Sequence, residues 1–92
     1  EAERWGQLKS MERAGVVDQL DRQVTYLLEV NGQKICNYIA DYTYLLLDEE
    51  GSSRFIVEDA KGVLTPEFKL KKKLMLAIHG IDILLTFKKN NK

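Results

Sequence analysis

The chain has 92 residues, of which 45% are hydrophobic and 30% are charged, and its formal net charge is zero. This length gives one domain with a single core, and no apolar run approaches the roughly 20 residues that a membrane-spanning helix needs. A single cysteine excludes an internal disulfide, which is typical of the cytoplasm, and zero net charge argues against binding nucleic acid by bulk charge alone.

The first predicted element is a helix from residue 1 to about residue 14, because Trp5, Leu8 and Met11 fall on one face at about 100° per residue. Glu1 lies four residues before Trp5 and projects from the same apolar stripe, which makes it a candidate site residue. The alternative is a first-turn acid that the helix dipole favours. The helix has no cap before residue 1, so we expect the natural chain to begin earlier.

A hairpin of two strands is predicted next, after a short link over residues 16–21. Residues 23–30 are rich in β-branched and aromatic side chains and predict a strand. Asn31-Gly32 is typical of a type I′ turn, in which both positions have positive φ. The return strand is predicted from residue 34 to about residue 47.

The return strand carries a lone acid, Asp41, in its middle. Such an acid costs stability unless it is paired or binds a ligand, so Asp41 is a candidate site residue. Tyr38, Tyr42 and Tyr44 share one predicted face of this strand. They either stack on nucleic-acid bases or pack against a helix.

Residues 55–62 predict a third strand, which follows a polar turn and ends with an acid and a base. Strand alternation places Asp59 and Lys61 on one face and Glu58 on the other. Three strands joined by tight turns form an antiparallel meander with neighbours about 4.8 Å apart, so Asp41 and Asp59 can reach one metal ion. The alternative for Asp59 and Lys61 is an ion pair on an edge strand, which contributes little to stability.

A second helix is predicted from Thr65-Pro66, with Thr65 as its N-cap, to about residue 78, before His79-Gly80. Lys71 falls near the centre of its apolar arc, so its ammonium reaches a cavity or an anionic partner, or extends along apolar surface to water. The other lysines in residues 69–73 contact phosphate or solvent. The apolar arc is predicted to contain Phe68, Leu70, Leu74, Met75, Ala77 and Ile78.

Residues 81–87 predict a fourth strand, and a helix between two strands predicts a right-handed crossover with parallel pairing. The order is therefore αβββαβ. We expect residues 1–92 to form one α/β domain with a mixed four-stranded sheet flanked by helices.

The acids and the lysine on the predicted strands suit metal-assisted hydrolysis of a phosphodiester bond. Hard oxygen ligands select Mg²⁺ or Mn²⁺, which Asp41 and Asp59 would bind together with the backbone carbonyl of Ala60. Glu1 would hold a metal-bound water or a second ion. Lys61 would position the attacking water and stabilise the charge that develops on the phosphate.

This arrangement, with an acid on the second strand and Asp-x-Lys on the third, resembles the core of the PD-(D/E)XK nuclease superfamily. That superfamily includes restriction endonucleases and Holliday junction resolvases. Residues 38–42 (YIADY) and 57–62 (VEDAKG) are similar to a group of small phage and prophage proteins within it, with Ala40 in place of the proline of the motif's name. The resemblance implies that Asp41 and Asp59 bind metal, that Lys61 is the catalytic lysine and that Glu1 is the helix acid. Adjacent Glu58 is the alternative ligand to Asp59.

The same resemblance implies a restriction-endonuclease-like fold and a metal-dependent DNA endonuclease, for which selectivity for DNA structure or cleavage of junctions is one expected form. It would act as a homodimer in the cytoplasm of a bacterial host, alongside phage replication, recombination or packaging proteins. Gln23, Thr65, Lys71 and Lys73 would contact DNA. The alternative function is a non-catalytic module that docks DNA or protein on the same fold.

Overall fold

The computed structural model describes residues 2–61 and 63–87. The elements are α1 Ala2–Arg13, β1 Val17–Val30, β2 Gln33–Leu47, β3 Ser53–Lys61, α2 Pro66–His79 and β4 Leu84–Phe87. Antiparallel pairing joins β1 to β2 and β2 to β3, β4 pairs in parallel with β3, and the strand order across the sheet is β1-β2-β3-β4. This arrangement confirms the predicted α/β class, the αβββαβ order and the mixed four-stranded sheet.

Strand β1 begins at Val17, so the prediction of a link over residues 16–21 was wrong. Val17 is buried and pairs with Leu46, near the far end of β2. The next residues belong to an edge strand whose side chains are mostly exposed, and Gln19 and Gln23 have positive φ angles of 52° and 57°. Exposed polar side chains and an irregular backbone remove the alternation by which a strand is recognised in a sequence.

The predicted turn and helix caps are confirmed. Asn31 and Gly32 have φ angles of 52° and 76°, as a type I′ turn requires. Thr65 caps α2, and its hydroxyl accepts a hydrogen bond from the Phe68 amide at 3.1 Å. Gly80 follows α2 as its C-cap, with its backbone in the left-handed region, and the Ile81 amide donates a hydrogen bond to the Met75 carbonyl. The cap takes up Gly80 and Ile81, and β4 begins only at Leu84, so this strand is shorter than predicted.

The two helices lie on opposite faces of the sheet, because neighbouring residues of β3 contact different helices. Val57 packs in a cluster with residues of α2, whereas the Glu58 carboxylate bonds to Arg4 of α1. The cluster on the α2 face contains Leu28, Tyr38, Ala40, Val57, Phe68, Met75 and Ile83. The cluster on the α1 face contains Leu8, Val17, Tyr42 and Tyr44.

The prediction that three tyrosines share one face of β2 was wrong. Tyr38 packs on the α2 side, and Tyr42 and Tyr44 pack on the α1 side. The change falls at Asp41, which stands between Ala40 and Tyr42. Gln23, whose φ is positive, lies opposite this position, between the pairs Arg22↔Tyr42 and Val24↔Ala40. The strand therefore breaks its alternation beside the candidate site.

The apolar arc of α2 is narrower than predicted. Phe68 and Met75 are buried, whereas Leu70 and Ala77 are exposed. The helix thus rests on the sheet along a stripe that also includes the partly buried Lys71. Within residues 2–61 and 63–87, no helix has both the length and the apolarity to cross a membrane.

Candidate functional site

The sheet opens into a fork between β2 and β3. Their ladder ends at the pair Tyr42↔Glu58, while β2 continues beside β1 and β3 continues beside β4 to Lys61. The separation leaves a gap between residues 37–41 on one strand and residues 59–61 on the other. The strand residues predicted to be catalytic, Asp41, Asp59 and Lys61, all belong to these two segments.

Asp41 joins the two arms of the fork. Its Oδ2 accepts a hydrogen bond from the Ala60 backbone amide at 2.8 Å. In a continued antiparallel ladder that amide would donate to a backbone carbonyl of the neighbouring strand. The carboxylate therefore replaces a sheet hydrogen bond and is held beside the end of β3.

Asp59 is buried at the base of the fork, with only 2% of its surface exposed. Its Oδ2 accepts a hydrogen bond from the Tyr38 hydroxyl at 2.5 Å, and its Oδ1 lies 3.3 Å from Lys61 Nζ. Although it is buried, Oδ1 has no hydrogen-bond partner among the described residues. A buried carboxylate oxygen left in this state is costly, and the ion pair with the partly exposed Lys61 compensates for only part of the cost.

The electrostatics of Asp59 favour an added cation. Burial raises the pKa of Asp59 above its ordinary value, and the negative charge of Asp41 raises it further. The Tyr38 hydrogen bond and the Lys61 charge lower this pKa, but the net shift is upward. A cation bound beside Asp59 would favour the charged form of its carboxylate.

Glu58, the alternative ligand, faces away from this site and is fully buried against α1. Arg4 Nε and Nη2 donate to its two oxygens at 2.6 and 2.9 Å, and the hydroxyls of Tyr44 and Thr86 donate at 2.6 and 3.0 Å. Burial alone would raise the pKa of Glu58, but the hydrogen bonds from Arg4 and Tyr44 lower it overall. Both oxygens are already satisfied, so Glu58 serves to fasten α1 and β4 to β3.

The sequence analysis did not single out Arg4, so it missed the partner of Glu58. The available signal was Glu58 itself. A buried acid on a predicted strand needs a partner for its charge, and α1 presents Arg4 next to Trp5, which packs against the core.

A cleft of about 290 Å³ adjoins the fork, between β2 and the start of α2. Lys61 lies in its wall, with Nζ 4.5 Å from the centre of the Phe68 ring. Lys71 lies there too and forms an ion pair at 3.3 Å with Glu67, which is 77% exposed, so the pair is weak and Lys71 is available to an anion. The other lining residues include Asn37, Tyr38, Ile39 and Thr65.

The remaining predicted site residues differ in whether they line the cleft. Thr65 lines the cleft, but its hydroxyl already caps α2. Gln23 is exposed on β1 and lies opposite Asp41 in the sheet. Lys73 is exposed on α2 and is not among the residues that line the cleft. Glu1 lies outside the described residues.

The fork has two carboxylates, fewer than a metal site whose ligands are all protein side chains would have. In the part of the chain that the structure describes, no group of three or more His, Cys, Asp or Glu residues is arranged to hold a metal ion. Mg²⁺ nevertheless keeps several waters and often uses only one or two carboxylates. Asp41 and Asp59 fit that requirement, because they supply two carboxylates and because Asp59 Oδ1 is buried without a hydrogen bond among the described residues.

The fold and the fork together define an α/β protein with an acidic pair and two lysines beside a cleft. Residues 1–90 match the family described as "Protein of unknown function (DUF1064)", and the chain belongs to this family. No curated protein and no solved structure gives a match.

Proposed function

We propose that this chain is a metal-dependent DNA endonuclease of the PD-(D/E)XK type with a restriction-endonuclease-like fold. In the reaction, the oxygen of a water molecule adds to phosphorus and one P–O ester bond breaks, leaving a phosphate monoester and a free hydroxyl. The observation that carries the proposal is the convergence of Asp41, Asp59 and Lys61 at the fork between β2 and β3, beside a cleft that also contains Lys71.

Asp41 and Asp59 are the residues that would hold Mg²⁺ or Mn²⁺, since they supply hard oxygen donors from the two arms of the fork. Asp59 Oδ1, which is buried without a hydrogen bond, is the donor most in need of a cation. A bound ion would supply a Lewis acid that polarises the scissile phosphate. The Ala60 carbonyl and Glu1 remain predicted contributors to the same site.

Lys61 is the residue that we assign to the reacting atoms. Its ammonium is fixed between Asp59 Oδ1 at 3.3 Å and the Phe68 ring at 4.5 Å, and it lies in the wall of the cleft. From there it would orient the attacking water and offset the negative charge that grows on the phosphate oxygens.

Lys71, farther along the cleft, would bind a neighbouring phosphate as a point charge. Thr65, Gln23 and Lys73 remain predicted DNA contacts at the edges of this path. Cleavage of both strands of a duplex or junction needs two sites, so the proposal includes a homodimer. It also includes a role in phage replication, recombination or packaging within the bacterial cytoplasm.

Cleavage of a panel of labelled DNAs (duplex, single strand, flap and four-way junction) in Mg²⁺ or Mn²⁺ tests the proposal. We expect metal-dependent cleavage that disappears in Asp59→Asn and in Lys61→Ala. The matched control is Asp82→Asn, because Asp82 is an exposed acid whose partner, Lys72, lies 2.8 Å away on the surface. Cleavage should survive that change.

The opposite result has a specific meaning. If the folded chain cleaves none of these DNAs, and if any DNA or protein binding is unchanged by Asp59→Asn, the nuclease proposal is wrong. The fold then serves as a docking module.

A further inference from the structure

Tyr38 makes the shortest contact to the acidic pair. It lies in β2 three residues before Asp41, is 3% exposed, and donates a hydrogen bond to Asp59 Oδ2 at 2.5 Å. Its ring packs against Phe68 of α2, with ring centres 6.3 Å apart. The hydroxyl is therefore held in place by the core that joins the sheet to α2, and it reaches across the fork where the backbone ladder has ended.

We propose that Tyr38 is a positioning residue, which rotates and fixes the Asp59 carboxylate so that Oδ1 is the oxygen presented to a divalent cation. The two oxygens of Asp59 are not equivalent. Oδ2 is occupied by the Tyr38 hydroxyl, whereas Oδ1 faces Lys61 and has no hydrogen-bond partner among the described residues. The inference rests on the proposed function, because it assigns a role toward the metal ion of that site.

Without the Tyr38 hydroxyl, the carboxylate loses the contact that sets its rotation. The terminal torsion of aspartate has broad, roughly two-fold energy wells, so packing alone does not fix which oxygen lies next to Lys61. Residues that hydrogen-bond to metal ligands typically alter metal affinity by about 10- to 100-fold when they are removed. Tyr38 therefore contributes to binding without touching the ion.

The chain contains a matched control for this role. Tyr44 lies on the same strand, is as buried as Tyr38 at 3% exposure, and donates a hydrogen bond at 2.6 Å to the neighbouring acid Glu58. Tyr38→Phe and Tyr44→Phe each remove one buried hydroxyl from one carboxylate, so they should lower the stability of the fold by comparable amounts. The bond of Tyr38 is to Asp59, whereas that of Tyr44 is to Glu58 on the opposite face.

The test is titration of Mn²⁺ into the full chain and its variants, followed by calorimetry and by the electron paramagnetic resonance spectrum of the bound ion. Folding of each variant is checked first by circular dichroism. We expect Tyr38→Phe to weaken Mn²⁺ binding by about tenfold or more and to change the spectrum. Tyr44→Phe should leave both unchanged.

Asp59→Asn separates failure of this inference from failure of the proposed function. If Asp59→Asn abolishes Mn²⁺ binding while Tyr38→Phe binds as tightly as Tyr44→Phe, Tyr38 is not a positioning residue and the metal site still stands. If Asp59→Asn binds Mn²⁺ as tightly as the unaltered chain, the metal site of the proposed function is itself refuted.

Discussion

Replacing Asp59 by asparagine should stabilise the metal-free protein. Asp59 is 2% exposed, its Oδ1 accepts no hydrogen bond among the described residues, and burial raises its pKa. Asparagine has the same shape, removes the buried charge and can still accept the Tyr38 hydrogen bond. Lys61 is 30% exposed, so its ammonium can turn to water when the ion pair is lost.

We expect a gain in the free energy of unfolding of about 1 kcal/mol, because functional sites commonly store strain of this size. For a domain of this length, that gain raises the melting temperature by roughly 4–8 °C. The assay is thermal and urea denaturation of both proteins in a metal chelator. A saturating divalent ion should reverse the order, since a ligand at 100 times its dissociation constant stabilises the unaltered protein by about 2.7 kcal/mol.

The pH dependence of the gain has a definite sign. The pKa of Asp59 is raised by folding, so its charged form destabilises the native state, and the penalty is fully present above the raised pKa. The advantage of Asp59→Asn should therefore shrink as the pH falls through the folded pKa, and vanish below the ordinary pKa of an aspartate. If Asp59→Asn is instead less stable than the unaltered chain without metal, Asp59 and Lys61 form a structural ion pair and our reasoning is refuted.

Two further predictions concern the other charges. Glu58→Gln should lower the free energy of unfolding by about 2–4 kcal/mol, measured by urea titration at pH 7, because it breaks a buried ion pair with Arg4. This loss of stability should disappear as the pH falls through the lowered pKa of Glu58. A loss at pH 7 too small to measure would show that the pair is dispensable. Lys71→Ala should weaken DNA binding and reduce its salt dependence by about one phosphate contact, measured by fluorescence anisotropy at several salt concentrations. Lys72→Ala removes the adjacent lysine, which is paired with Asp82, and should leave DNA binding and its salt dependence unchanged. If the two substitutions weaken DNA binding equally, the cleft does not direct DNA binding.

Much of the site could be predicted from local sequence patterns. Period-two alternation was enough to place Asp59 with Lys61 and to turn Glu58 away, and the hairpin and meander brought Asp41 near Asp59. These inferences succeed because each depends on neighbours in the chain or on adjacent strands. Nothing in such patterns reaches across long sequence separations.

The features that sequence analysis missed depend on distant contacts or on irregular backbone. Arg4 binds Glu58 across 54 positions, and no periodicity links the two. Tyr38 was grouped with the other tyrosines of β2, because the break in alternation at Asp41 depends on a backbone irregularity that side-chain pattern does not record. The first third of β1 was taken for a link, since an exposed edge strand needs few apolar residues.

The hydrogen bonds on the two faces of β3 also protect the protein against an error of alignment. Glu58 and Asp59 are adjacent acids, so sliding β3 by one residue in one direction would bring Glu58 to the position of Asp59, and sliding it in the other direction would bring Asp59 to the position of Glu58. The first slip would place Val57 at the position of Glu58, so Arg4 would lose its carboxylate, and the second would place Ala60 at the position of Asp59, so Tyr38 would lose its acceptor. Either slip therefore loses the hydrogen bonds on one face of β3, so Arg4 and Tyr38 together fix the register of this strand.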